Sequence, residues 1–162
     1  MTVRGQDALR THVVELLRLK GAHPGFEKAT AGIPADLRGI RPDGAVHSTW
    51  ELVEHLRLAQ FDILEFIRNP GYKEPRWPDD YWPKGPQPRD EAEWQESLAG
   101  FRRDAAGIEA LVTDPGSDLL ARIPHGSGQT LLREALLVAD HNAYHLGQIV
   151  LLRRLLGAWE TR

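Results

Sequence analysis

Apolar residues recur at helical spacing in four stretches, separated by clusters of glycine and proline at Gly21 to Gly44, Pro70 to Pro88 and Pro115 to Gly128. The first stretch runs from about Arg4 to Lys20, with Leu9, Val13, Leu16, Leu17 and Lys20 on one side. Pro24 to Ala29 reads as a short helical turn with proline in its first position, where the missing N–H is not needed. The second stretch runs from Ser48 to about Asn69 and opens on Ser48-Thr49-Trp50-Glu51, a capping box. Leu52, Leu56, Ala59, Ile63, Phe66 and Ile67 form its buried stripe, and Asn69-Pro70-Gly71 ends it. The third runs from about Arg89 to Thr113 and carries Trp94, Leu98, Phe101, Ile108, Leu111 and Val112. The fourth runs from Thr130 to Leu156 and stops at Gly157.

Four long helices without strand alternation predict an all-α four-helix bundle. The connection between the second and third helices sets their relative direction. A 22-residue helix is roughly 33 Å long, and the chain from Pro70 to Pro88 can stretch to about 60 Å. An antiparallel hairpin needs far less, so this linker predicts a crossover between parallel neighbours. It holds six of the eleven prolines together with Tyr72, Trp77, Tyr81 and Trp82. Such a strap is stiff and packs over the bundle.

The fourth helix is apolar nearly all round. At 100° per residue, Leu137, His141, His145, Gln148 and Leu152 share a face, with Ala139, Ala143, Leu146 and Val150 nearly opposite. Either this helix is central to the bundle or its second face meets another subunit. The small Ala139, Ala143 and Gly147 allow close approach, which is compatible with a homodimer but does not demand one.

Composition narrows the chemistry. The chain has 162 residues, 41% apolar and 27% charged, which suits one globular domain over residues 1–162. There is no cysteine, so disulfides, thiolate-held metals and a protein thiol nucleophile are excluded. A net charge of -3 gives no electrostatic footprint for nucleic acid or acidic lipid. No apolar run reaches the roughly 20 residues of a membrane span. The polar start Met1-Thr2-Val3-Arg4-Gly5-Gln6-Asp7 does not resemble a signal peptide, so a cytoplasmic location is expected.

The candidate chemistry lies in the seven histidines. His141 and His145, four apart on one helix face, project together and can share a metal. Unpaired imidazoles on the inward face of so apolar a helix would be costly to bury. His55, at the border of the second helix's buried stripe and one turn before the small Ala59, is the third ligand candidate. Three neutral imidazoles suit a divalent transition metal such as zinc or nickel, and iron or copper as well, and leave a coordination position open. Asn142 follows His141, so HExxH is absent, and no glutamate stands three residues before any of these histidines, so a di-iron pattern is absent too. His47 is a surface residue or a lid contact, His125 belongs to a turn entering the fourth helix, and His12 and His23 are structural or exposed. Glu51, Asp62 and Gln148 are candidates for contacts behind the ligands. Trp77, Tyr81 and Trp82 either roof a pocket or pack as plain core.

Two segments resemble the signatures of the DinB/YfiT-like superfamily: Ser48-Thr49-Trp50-Glu51-Leu52-Val53-Glu54-His55-Leu56 and Asp140-His141-Asn142-Ala143-Tyr144-His145-Leu146-Gly147-Gln148. The similarity extends to the Trp/Pro-rich strap and the Ile123-Pro124-His125-Gly126 turn. The resemblance implies an up-down-down-up bundle, frequent homodimerisation, and a metal held by one histidine of the second helix and two of the fourth, which carry over onto His55, His141 and His145. It also implies a function: a metal-dependent thiol S-transferase in which a low-molecular-weight thiol such as bacillithiol or mycothiol attacks a small electrophile. Because the chain has no cysteine, the thiol would be a cosubstrate. A metal-dependent hydrolase and a non-catalytic, stress-associated binding module are the alternatives, and no catalytic residue beyond the ligands is assigned. Despite the family's historical name, the short acidic chain has no basis for polymerase activity.

Overall fold

The computed structural model describes residues 3–19 and 21–159. Lys20, assigned by spacing to the first apolar face, lies outside the described residues, as do Met1, Thr2 and residues 160–162. Four long helices, α1 (Val3–Leu17), α3 (Thr49–Arg68), α4 (Glu91–Thr113) and α5 (Leu131–Leu155), form an all-α bundle, with a short α2 (Phe26–Thr30) between the first two. There is no strand among the described residues, and a single isolated bridge pairs Arg122 with Thr130.

The helix starts follow local chemistry. Ser48 and Glu51 form the capping box expected of them: the Glu51 amide donates to Ser48 Oγ at 3.2 Å and the Ser48 amide to Glu51 Oε2 at 2.7 Å. Asp90 caps α4 and Thr130 caps α5 through single side-chain bonds. One expectation is corrected. The short turn does not begin with proline in its first helical position, because Gly25 is the cap and Phe26 the first helical residue, leaving Pro24 outside. Burying Phe26, which stacks on Phe101 at 3.8 Å, fixes where the turn begins.

Residue pairs give the helix directions. Trp50 meets Trp94, Gln60 meets Phe101 and Leu64 closes on Gly107, so α3 and α4 run parallel. That is the relation the long linker predicted. Gln60 also meets Asn142, while Leu52 and Leu152 line one groove, so α5 runs antiparallel to α3. Arg10 reaches the Val112 carbonyl and Arg18 pairs with Glu109, so α1 runs antiparallel to α4.

The core is two apolar clusters stacked along the bundle. One gathers Trp50, Leu52, Leu56, Phe101, Leu146 and Ile149; the other gathers Val13, Leu64, Ile108, Val112, Ala135 and Val138. Between them lies a polar layer. Gln60, 1% exposed, donates to the Phe101 carbonyl at 2.7 Å and accepts from Asn142 Nδ2 at 2.9 Å, joining α3, α4 and α5. Helix α5 covers both faces assigned to it, with Leu137, His141, Ala143 and Gln148 only half-buried, and its exposed stripe is a third one, through Leu136, Asp140, Tyr144, Gly147 and Leu151.

The polar layer yields a test. Gln60→Leu keeps the volume but leaves Asn142 Nδ2 without its acceptor inside the core, a loss of about 1–3 kcal/mol. The expected outcome is a lower urea midpoint with helical content unchanged, and an unaltered midpoint would show that the layer contributes nothing.

Candidate metal centre

Helix α3 packs against α4 and also against α5. There His55, from the second turn of α3, faces His141 and His145, one turn apart on α5. Their ring centroids are 4.9, 4.8 and 4.6 Å apart in the three pairings. One nitrogen from each ring lies within 4.8 Å of the others, and His55 Nε2 and His141 Nε2 approach to 3.0 Å. His55 is 2% and His145 8% exposed, with His141 half-buried. The three histidines singled out from the sequence are therefore brought together.

Each of two rings is oriented by a partner on its far side. His55 Nδ1 contacts the Tyr81 carbonyl at 2.8 Å. A carbonyl only accepts, so Nδ1 carries the hydrogen and Nε2 keeps a lone pair turned toward the other histidines. His145 Nδ1 likewise donates to Gln148 Oε1 at 2.9 Å, leaving its Nε2 lone pair free. Burial, the largest cause in each case, pushes His55 and His141 down to about 4 and lowers His145 too. All three rings are then neutral at pH 7, the state in which imidazole binds a metal.

This donor set fits a metal. Nitrogen ligands at about 2.0–2.1 Å in a tetrahedral site stand a little over 3 Å apart, close to the His55–His141 separation. The chemistry of three neutral imidazoles suits zinc, nickel, copper or iron over magnesium or calcium. A divalent ion can therefore be held here by His55, His141 and His145.

The strap supplies the roof. Trp82 stacks on His55 at 3.9 Å with 4° between the planes, and His47 stacks on Trp82, also at 3.9 Å. Tyr81 holds the strap down through its hydroxyl, which donates to Asp62 Oδ2 at 2.7 Å, and Ser48 Oγ donates to the Pro86 carbonyl. The remaining candidates separate clearly. Gln148 contacts a site histidine directly, whereas Asp62 acts through Tyr81. Glu51 is not behind the ligands; it caps α3 and pairs with Arg41, Nε to Oε2 at 2.8 Å. Trp77 is 68% exposed and makes its ring contact with Tyr81, 5.3 Å between centroids. His125 bonds the Phe66 carbonyl, and His12 and His23 are exposed. The Tyr81 carbonyl was not foreseen, since a backbone acceptor leaves no mark in a side-chain pattern.

A family model described as the DinB superfamily matches residues 18–149, the greater part of the chain, including all three histidines. The chain belongs to the DinB superfamily. No curated protein or solved structure matches it significantly. No helix among the described residues is long and apolar enough to cross a membrane.

Buried neutral imidazoles make stability depend on pH. With folded values near 4 for His55 and His141 against 6.5 unfolded, the unfolded chain binds more protons in that window. Stability is therefore full above about pH 6.5 and declines as pH falls toward 4. The thermal midpoint of metal-free protein should drop between pH 7 and pH 5, and drop less in His55→Phe, which keeps a ring against Trp82 but takes up no proton. Equal drops in both proteins would show that His55 is not held neutral by burial.

Proposed function

With membership of the DinB superfamily as the premise, we propose that this protein binds one divalent ion, zinc or nickel, through His55, His141 and His145, and transfers a low-molecular-weight thiol to a small electrophile. One observation carries the reading. One nitrogen from each of three neutral imidazoles lies within 4.8 Å of the others, in a chain that has no cysteine of its own. Three ligands leave room for a fourth from solution. A divalent ion held there supplies the positive charge that lets a thiol lose its proton near neutral pH.

The chain's own residues do the rest. The Tyr81 carbonyl and Gln148 Oε1 hold His55 and His145 in tautomers whose Nε2 lone pairs face inward. Trp82 covers one face of His55 and keeps water from it. Asp62, through the Tyr81 hydroxyl, keeps the strap seated above the rings.

The test is elemental analysis of untagged protein beside His55→Ala and His141→Ala, with circular dichroism to establish folding. About one zinc or nickel per chain is expected in the wild type and none in the folded variants. Thiol-dependent consumption of monochlorobimane, lost in the same variants, then supports transfer. No metal after reconstitution overturns the metal reading. Metal binding with ester hydrolysis but no thiol transfer replaces the transferase with a hydrolase, and metal binding with neither activity leaves a binding module.

A further inference from the structure

Beside the histidine cluster the surface opens into a groove of about 440 Å³, within the size range of small-molecule sites. Its floor is Leu52 and Leu152, both buried, and its walls are Val46, Tyr144, Leu151 and Leu155. The walls are unusually open for such side chains: Val46 is 73% and Tyr144 65% exposed. The loop from Asp43 to His47 forms one side and the last three turns of α5 the other. Leu151 and Leu155 are one turn apart on that helix, so both face the loop.

Two polar residues join this groove to the candidate metal centre. Gln148 lines it while accepting from His145 Nδ1. His47 lines it while stacked on Trp82, whose ring also stacks on His55. Tyr144, one turn before Gln148 on the same helix, reaches the same cluster, its ring 4.9 Å from that of His145. The third polar residue, Asp43, is an exposed carboxylate on the loop and disfavours an anion there. The arrangement is an apolar trough continuous with the residues that orient the histidines.

We propose that this groove binds the apolar body of a small, uncharged substrate, an alkyl or aryl group, whose reactive end lies toward Gln148 and His47. The assignment of a reactive end rests on the metal-centre reading above, whereas the binding of the apolar body does not require the ion. Selectivity then follows from apolar size: within the groove's length, each added methylene strengthens binding about fourfold.

The probes are butanol, hexanol and octanol, titrated into the full chain with its leucine and valine methyl groups observed by NMR. The expected result is saturable binding that tightens with chain length, with shifts confined to Val46, Leu52, Leu151, Leu152 and Leu155. Leu151→Glu, at an exposed position, should weaken octanol at least tenfold, whereas Leu16→Glu, exposed on α1, should not. In His55→Ala octanol binding should persist, so a chain that binds octanol but no metal fails only the metal reading. Shifts scattered over the bundle, or no dependence on chain length, would overturn the groove. So would sedimentation showing a dimer that Leu151→Glu dissociates while octanol binds neither form, which would assign this face to a second copy.

Discussion

Gln60 is the residue on which the arrangement turns. Its amide binds the α4 backbone with one end and Asn142 of α5 with the other, in a layer that separates two apolar clusters. Apolar contacts tolerate sliding of one helix along another by a turn, because one leucine substitutes for the next. A buried amide with two fixed partners does not, since a slip would strand polar groups away from water. The layer thus fixes the axial register of α3 against α5. That register decides whether His55 stands level with His141 and His145 or misses them by a turn.

The crossover performs a second role beyond joining parallel helices. It is tied at the start of α3 through Ser48 and Pro86, and at the middle through Tyr81 and Asp62, and between those ties it lays Trp82 on His55. The same connection that permits α3 and α4 to run in parallel therefore closes one side of the histidine cluster. Topology and site chemistry are consequences of one segment.

Much of this was legible in the residues themselves. The Ser48–Glu51 box is a local motif, and the four-residue spacing of His141 and His145 follows from helix geometry alone. The pairing of His55 with them needed only a bundle and an inward face. What escaped was set by tertiary context. Glu51 is an acid near His55 in sequence, but the cap and Arg41 claim both its oxygens. Trp77 belongs to the same aromatic strap as Trp82, yet the strap turns it to solvent. Gln60 and Asn142 interrupt apolar stripes as surface residues do, and only the packing of three helices makes them a pair. The start of α2 moved because burying Phe26 outweighs proline's local preference.

The contact between His55 and residue 81 is made by a main-chain oxygen, and every amino acid provides one. That oxygen survives any substitution at the position, but the hydroxyl that ties the strap to Asp62 does not, so the imidazole's tautomer is preserved only while the strap keeps its length and path. A deletion of a few residues in the strap would do the opposite, retaining every histidine while releasing the hydrogen on His55 to migrate to the nitrogen that faces the cluster. Among relatives, therefore, an intact set of three histidines does not by itself guarantee a working centre, and the span between the two signature segments carries information that neither signature contains.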